Sequence, residues 1–132
     1  MIKSSNSFTS YTNGAWAGQL SNIDNESCYL ILIDEALTTA FTGTPANPAD
    51  HPVTINSGWN WIGYPCSQSM SIEEALVGFT PAEGDMIKSQ NNFTTFSNGK
   101  WNGALSTFEP GQGFLYLSNS GESKVLVFPN RH

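Results

Sequence analysis

The sequence predicts a mainly β protein in which antiparallel strands form a small barrel or a sandwich, with one short helix near residues 71–79. Three observations support this fold class. Aromatic and β-branched runs end at Asn-Gly turns, a single segment has strong helix signals, and the beginning of the chain recurs near its end. With 132 residues the chain is long enough to form one compact unit with its own core.

An internal duplication organises the chain. Residues 1–21 align without a gap on residues 86–106, and 13 of the 21 aligned residues are identical. By chance, about one or two identities are expected in a segment of this length. We extend the match to residues 1–47 and 86–132, and we name these segments the first repeat and the second repeat.

The residues between the repeats have two parts of different character. A Pro-rich connector is expected at 48–52, and the segment 57–85, which we name the hub, occurs only once. We predict that residues 53–132 form a complete β-module. Residues 1–47 form an incomplete module because they lack a hub of their own, and the two modules are expected to pack as one compact unit.

Each repeat begins with a predicted β-hairpin. The strand-like runs 8–11 and 93–96 lead into Asn-Gly pairs, which accept the positive φ angles of a type I′ turn. On each returning strand Trp, Gly and Leu share one face by the two-residue period, and we expect that face to point into the core. These residues are Trp16, Gly18 and Leu20 in the first repeat and Trp101, Gly103 and Leu105 in the second.

Each repeat continues with further predicted strands. Turn-forming residues precede strands at 28–32 and 114–117, and a last strand is predicted at 124–128. Its counterpart in the first repeat, at 37–44, has two interpretations. The β-branched Thr residues favour a strand, whereas residues 33–37 resemble the helical part of the hub.

The hub contributes a strand and a short helix. Residues 59–64 carry large apolar groups on both faces, which favours a central place in a sheet. Ser71 and Glu74 have the spacing of a capping box, which predicts the start of a helix. The apolar stripe of this helix consists of Ile72, Ala75, Leu76 and Phe79.

Several short motifs together resemble a known repeated module. They are G-W-N-W-I-G-Y-P, S-I-E-E-A-L, E-G-D-M-I-K-S-Q, N-G-x-W-x-G-x-L and E-P-G-Q-G-F-L-Y. This combination resembles an uncharacterised module of secreted and cell-surface proteins from Bacteroidetes-like bacteria and metagenomes. The resemblance implies that residues 53–129 form one whole module and that the protein is extracellular or on the cell surface. It implies no enzymatic activity.

Composition and charge exclude several functional classes. The formal net charge is -6 and the five basic residues are scattered, so a nucleic-acid partner is not expected. The longest apolar run is far shorter than a membrane span. A charged fraction of only 12% is typical of an extracellular β-protein. No signal peptide is recognisable, and if the chain is the complete natural protein a cytoplasmic location is expected instead.

No pattern for catalysis or cofactor binding is recognisable. We expect no catalytic residues and no cofactor, with His51 and His132 in solvent and Glu73 and Glu74 on the exposed side of the helix. We predict no metal site, although four acidic residues are weak candidates for calcium binding because Ca²⁺ prefers oxygen ligands. These candidates are Asp24, Glu26, Glu83 and Asp85.

The two cysteines, Cys28 and Cys66, allow two interpretations. They can form a disulfide in an oxidising compartment, or they can be two separate buried side chains. The second interpretation is favoured.

Aromatic residues provide the candidate binding site. Trp59, Trp61 and Tyr64, with Asn60, can form a platform on which sugar rings stack. The alternative is that these aromatic residues belong to the core. We favour that alternative for Trp59, Trp61 and Tyr64, and also for Trp16 and Trp101.

The leading functional hypothesis is a non-catalytic extracellular or surface module that binds a glycan or a protein. The alternative is a structural module that forms homo-oligomers through exposed strand edges and binds no small ligand. A hydrolase that uses carboxylates in a cleft between the two halves is the minor alternative.

Overall fold

A computed structural model describes residues 1–131 of the chain and is mainly β, as predicted. Its helical elements are a 3-10 turn at Pro48–Asp50 and the helix α1 (Ile72–Ala75). The strands of the first repeat are β1 (Ile2–Lys3), β2 (Phe8–Thr12), β3 (Ala15–Gly18) and β4 (Leu30–Ile31). The strands that follow before the second repeat are β5 (Val53–Ile55), β6 (Gly58–Ile62) and β7 (Met70–Ser71). The second repeat contains β8 (Met86–Lys88), β9 (Phe93–Ser97), β10 (Lys100–Gly103), β11 (Thr107–Phe108), β12 (Phe114–Ser118) and β13 (Lys124–Leu126).

The second repeat and the hub share a five-stranded antiparallel sheet. Its order is β10-β9-β8-β12-β6, so β12 pairs with β8 on one edge and with β6 on the other. Two small sheets join the second repeat to earlier segments, because β11 pairs with β7 of the hub and β13 pairs with β5, which precedes the hub. Strands that come before the second repeat therefore pair with three of its strands, β11, β12 and β13.

The hydrophobic core lies between these sheets and helix α1. It is built from buried residues between Val53 and Phe128, and four aromatic rings form its centre. Phe108 contacts the other three, with centroid distances of 5.4 Å to Tyr64, 4.6 Å to Phe114 and 5.4 Å to Phe128. Helix α1 covers this core with Ile72 and Ala75, and its capping box between Ser71 and Glu74 is present as predicted.

The first repeat forms a separate four-stranded sheet with the order β3-β2-β1-β4. Its pairing reproduces that of the second repeat at the same offset of 85 residues seen in the sequence. Ile2 pairs with Thr9 as Ile87 pairs with Thr94, and Lys3 pairs with Leu30 as Lys88 pairs with Leu115. Both predicted hairpins are present, and their turn residues have positive φ angles, including 52° at Asn13 and 54° at Asn98.

Other details differ from the predictions. Each of the four sheets in residues 1–131 is open, so the small-barrel form of the predicted fold is not adopted. Strand β6 is the last strand of its sheet, so the central position predicted for 59–64 is wrong. In the described structure, the outer edge of β6 is met by an isolated bridge between Ser27 and Ile62. Pro48 is buried, so the connector 48–52 is not simply a solvent-exposed linker.

The predicted strand at 37–44 is absent from the structure, and so is the alternative helix. Residues 39–41 correspond to β13, which needs β5 as its partner. The first repeat has no counterpart of β5, so its last segment has no strand with which to pair. Its side chains are exposed, including Phe41 at 85%.

Among residues 1–131, no helix combines the length and the apolar character that are needed to cross a membrane.

Candidate functional site

Two tryptophans lie on the outer face of the five-stranded sheet. Trp59 and Trp61 point to the same side of β6, opposite Leu117 and Leu115 of β12. Trp59 is 51% exposed, whereas Trp61 is half-buried. The two indole side chains and these leucines lie on one face of the sheet at its edge.

The other two residues of the predicted platform lie elsewhere. Tyr64 is buried in the core, where its ring stacks on Phe108 and its hydroxyl donates a hydrogen bond of 2.6 Å to the carbonyl oxygen of Gln68. The Asn60 amide donates to the carbonyl oxygens of Asn56, Gly58 and Tyr116 and therefore connects strands. The prediction of a four-residue platform is therefore wrong for Tyr64 and Asn60, and Trp59 and Trp61 are the candidate residues that stay.

A cleft of about 700 Å³ opens beside Trp61. One wall is formed by residues 28–31 of the first repeat, and the other by the end of β8 with the following loop and by residues 104–113. Such a volume is typical of small-ligand sites. The cleft lies where the two repeats meet, so both contribute to it.

The polar residues of this cleft are mainly amides and hydroxyls. Amide side chains both donate and accept hydrogen bonds, which suits a neutral polar ligand. Within the described chain, Lys88 and Glu109 are the charged residues of the lining. The carboxylate of Glu109 accepts a hydrogen bond of 3.0 Å from the Thr107 hydroxyl. The uncharged polar side chains are Tyr29, Ser89, Gln90, Asn91, Asn92, Ser106, Thr107 and Gln112.

Backbone contacts hold the first repeat against the hub. The amide of Gly63 donates to the carbonyl oxygen of Glu26 at 2.9 Å, and that of Cys28 donates to the carbonyl oxygen of Trp61 at 3.3 Å. A methyl group at Gly63 would collide with the Asn25 carbonyl oxygen. Glycine at position 63 therefore lets the two segments approach closely.

A side-chain contact strengthens the same joint. The Nδ1 atom of His51 lies 2.6 Å from the Oε1 atom of Glu26, and both side chains are about one-third exposed. The expectation that His51 is free in solvent is therefore wrong. His132 lies outside the described residues.

The four acidic residues considered for calcium are not grouped around one point. Asp24 accepts a hydrogen bond from the amide of Glu26, and Glu83 accepts one from the amide of Asn98 at 2.8 Å. No group of three or more His, Cys, Asp or Glu residues in the described chain is placed to hold a metal ion.

Asp85 has a structural place at the end of the hub. It is completely buried, and its carboxylate accepts hydrogen bonds from the amides of Ala82 and Asn119 and from the hydroxyl of Tyr116. These bonds tie the hub to β12 and to the loop after it. Burial, followed by the hydrogen bond to Asp85, raises the pKa of the Tyr116 hydroxyl well above its usual value.

Cys28 and Cys66 are both free and buried at separate places, in agreement with the favoured interpretation. The thiol of Cys66 donates to the carbonyl oxygen of Pro129 at 3.2 Å, whereas Cys28 packs against Gly113. Burial raises the pKa of both thiols. A raised thiol pKa reduces the fraction of reactive thiolate at neutral pH.

The tryptophans of the two returning strands have different surroundings. Trp101 is half-buried against the core and contacts Phe96 and Tyr116. Trp16 makes the matching contact with Tyr11, at a centroid distance of 5.3 Å, but it is 54% exposed. The prediction that both are core residues is therefore wrong for Trp16.

Residues 88–92 and 104–113 were not identified as site residues from the sequence. Their runs of Asn, Gln, Ser and Gly are also typical of ordinary turns. Only the pairing of strands that are distant in the sequence brings them together with Trp61.

No family model, no curated protein sequence and no solved structure matches the chain.

Proposed function

We infer that the chain is a non-catalytic binding module and that its ligand is a neutral glycan held in the cleft beside Trp61. One observation carries this proposal. The half-buried Trp61 lines a cleft with amide and hydroxyl side chains, and the exposed Trp59 lies beside it on the same face of β6. A sugar ring has an apolar face that packs on an aromatic ring and hydroxyl groups at its edge. The outer face of β6 and the loops beside it offer the matching groups.

Charge favours a neutral ligand. The chain carries a formal net charge of -6, so an acidic polysaccharide is repelled at long range. Lys88 and Glu109 provide one charge of each sign in the cleft. Extracellular or cell-surface location remains part of the proposal, supported by the low charged fraction of 12%.

The cleft does not favour the hydrolase alternative. Carboxylate-dependent glycoside hydrolysis uses a pair of carboxyl groups on either side of the scissile bond. Among the described residues of the lining, Glu109 is the one acidic side chain. The proposed function is therefore binding without cleavage.

The test uses affinity electrophoresis of the whole chain through gels that contain neutral polysaccharides, followed by titration with the oligosaccharide of the best one. Trp61→Ala and Trp59→Ala are expected to weaken binding by about tenfold or more, since stacked rings dominate the energetics of such contacts. Trp16→Ala is the control, because it removes an indole that is as exposed as that of Trp59 and lies outside the cleft. Retention that depends on Trp16 as much as on Trp61, or no retention by any neutral polysaccharide, contradicts the proposal.

The assembly hypothesis is the second candidate because of strand β4. In the described structure β4 pairs with β1 on one edge alone, and its Leu30 and Ile31 are exposed. An unpaired apolar edge is a surface on which another chain can add a strand. Sedimentation of the purified chain over a range of concentrations tests self-association.

A further inference from the structure

The two repeats carry corresponding apolar surfaces, which are covered in the second repeat and partly open to solvent in the first, where Trp16 and Ile23 are exposed. In the first repeat a cleft of about 420 Å³ lies on the inner face of the sheet and is lined by Ile2, Thr9, Trp16, Gly18, Leu20 and Ile23, with two polar neighbours. At an offset of 85 residues, the second repeat has Ile87, Thr94, Trp101, Gly103, Leu105 and Phe108. These residues of the second repeat belong to the core or border it.

The hub provides the cover in the second repeat. Ile72, Ala75 and Leu76 of the helical segment are buried in the same cluster as Ile87, Leu105 and Phe108. The backbone amide of Ile72 donates to the carbonyl oxygen of Ser106 at 3.0 Å. The Phe79 ring then closes the surface over Tyr116, with a centroid distance of 5.8 Å.

The strand edges differ in the same way. Strand β12 has a hub strand on its second edge, and its Tyr116 is completely buried. Ile31 occupies the position of Tyr116 in the first repeat and is 64% exposed. In the first repeat, the exposed face of the sheet and the unpaired edge of β4 therefore lack the same element, which is a strand and helix like those of the hub.

We propose that the first repeat is an acceptor for a strand–helix segment that has the hub pattern and lies outside residues 1–132. A G-W-N-W strand of that segment adds to the free edge of β4, and its capped helix and following Phe fill the cleft beside Trp16 and Ile23. Main-chain pairing provides affinity, and the side chains that enter the cleft provide specificity. The inference deepens the assembly candidate and rests on β4 being a protein-binding edge.

A second molecule of this chain does not suit as the partner. Each molecule has one hub and two repeats, and its hub already serves its own second repeat. Ile62 and Ile72 of the hub are each only 1% exposed. Giving them to a neighbour would uncover the core that they now fill, so the exchange would gain no buried apolar surface.

The experiment titrates the whole chain with a synthetic peptide of residues 57–85 in a calorimeter. We expect binding of one peptide per chain with a Kd of about 10 µM or tighter. Hydrogen exchange of the amides around Trp16 and Ile31 is expected to slow on binding, because the added strand and helix cover them. A control titration replaces this peptide with one that carries Ile72→Asp and Leu76→Asp, and it is expected to show no heat of binding.

Matched variants of the chain locate the peptide. Ile31→Lys and Ile23→Asp should each weaken binding by about tenfold or more, since a charge then faces an apolar partner. Val125→Lys alters a similarly exposed residue in the second repeat and should change the Kd by less than about twofold. All three side chains are exposed, and circular dichroism confirms that the variants are folded.

Three results would overturn the inference. The first is no binding of the peptide at about 100 µM. The second is binding that Ile31→Lys leaves unchanged, because the peptide would then have replaced the chain's own hub. The third is self-association of the chain that Ile31→Lys abolishes, in which case a second molecule covers the face and the assembly candidate stands without the hub-type partner.

Discussion

Replacing Phe108 and Ile23 with alanine tests whether the two repeats differ in solution as they do in the structure. The two residues occupy corresponding positions, but Phe108 is completely buried and Ile23 is 61% exposed. Both replacements remove a large apolar side chain. The difference between their effects on the free energy of unfolding therefore reports the cover that the hub provides.

The structure sets the expected size of each effect. Phe108 contacts the rings of Tyr64, Phe114 and Phe128, with centroids between 4.6 and 5.4 Å away. Loss of its transfer free energy together with the cavity left among these rings is expected to cost about 3–5 kcal/mol. Ile23→Ala removes mostly solvent-exposed surface and is expected to change the free energy of unfolding by about 0.5 kcal/mol or less.

Urea unfolding followed by circular dichroism at 25 °C measures both values, and unchanged m-values show that the variants are compared over the same transition. A loss of about 2 kcal/mol or more for Ile23→Ala would refute the reasoning, because such a loss requires a buried side chain. Repeating the measurement at several protein concentrations would then show whether a second molecule provides the cover.

Two further predictions concern polar groups of the complete module. Asp85→Asn is expected to lower the free energy of unfolding by about 3 kcal/mol, since three donors lose a buried carboxylate. Glu122→Gln, at an exposed position, is the control. Equal urea midpoints for the two variants would contradict the expectation. Burial raises the pKa of Tyr64 and Tyr116, so each contributes stability that is present below the unfolded pKa of about 10 and is lost as the pH rises above it. Urea midpoints should therefore fall above about pH 10, and they should fall less in Tyr64→Phe than in the control Tyr11→Phe.

The hairpins and the helix start could be predicted because short local segments determine them. Asn13 and Asn98 adopt positive φ angles that few other residues tolerate, and their Gly neighbours complete the turn. Ser71 and Glu74 satisfy each other's backbone donors within one turn of helix. Neither feature depends on the rest of the chain.

Burial could not be predicted in the same way, because it depends on which distant segment covers a strand. Trp16 and Trp101 have the same local sequence pattern and the same hairpin register. Their different exposure follows from the single hub, whose helical segment packs in the core with the second repeat. The missing strand predicted at 37–44 has the same cause, since this segment has no partner strand in the structure.

Part of the candidate site could be predicted from the sequence. The two-residue period of a strand already places Trp59 and Trp61 on the face opposite Asn60 and Tyr64, so grouping all four residues ignored an available signal. The cleft could not be predicted, because strand pairing between distant parts of the chain forms it. The pairing of β6, β8 and β12 contributes to bringing together residues 28–31, 88–92 and 104–113. No periodicity connects these loops.

The two proposed binding surfaces share one strand, which has a physical consequence. Leu30 and Ile31 of β4 line the cleft beside Trp61, and β4 is also the free edge that a hub-type strand would extend. A two-residue strand paired on one side is easily distorted, whereas a strand paired on both sides is held in place. A partner on β4 would therefore order one wall of the cleft before a glycan arrives, and glycan binding would then cost the protein less conformational entropy. Because coupling between two sites is reciprocal, a bound glycan would strengthen binding of the partner by the same factor.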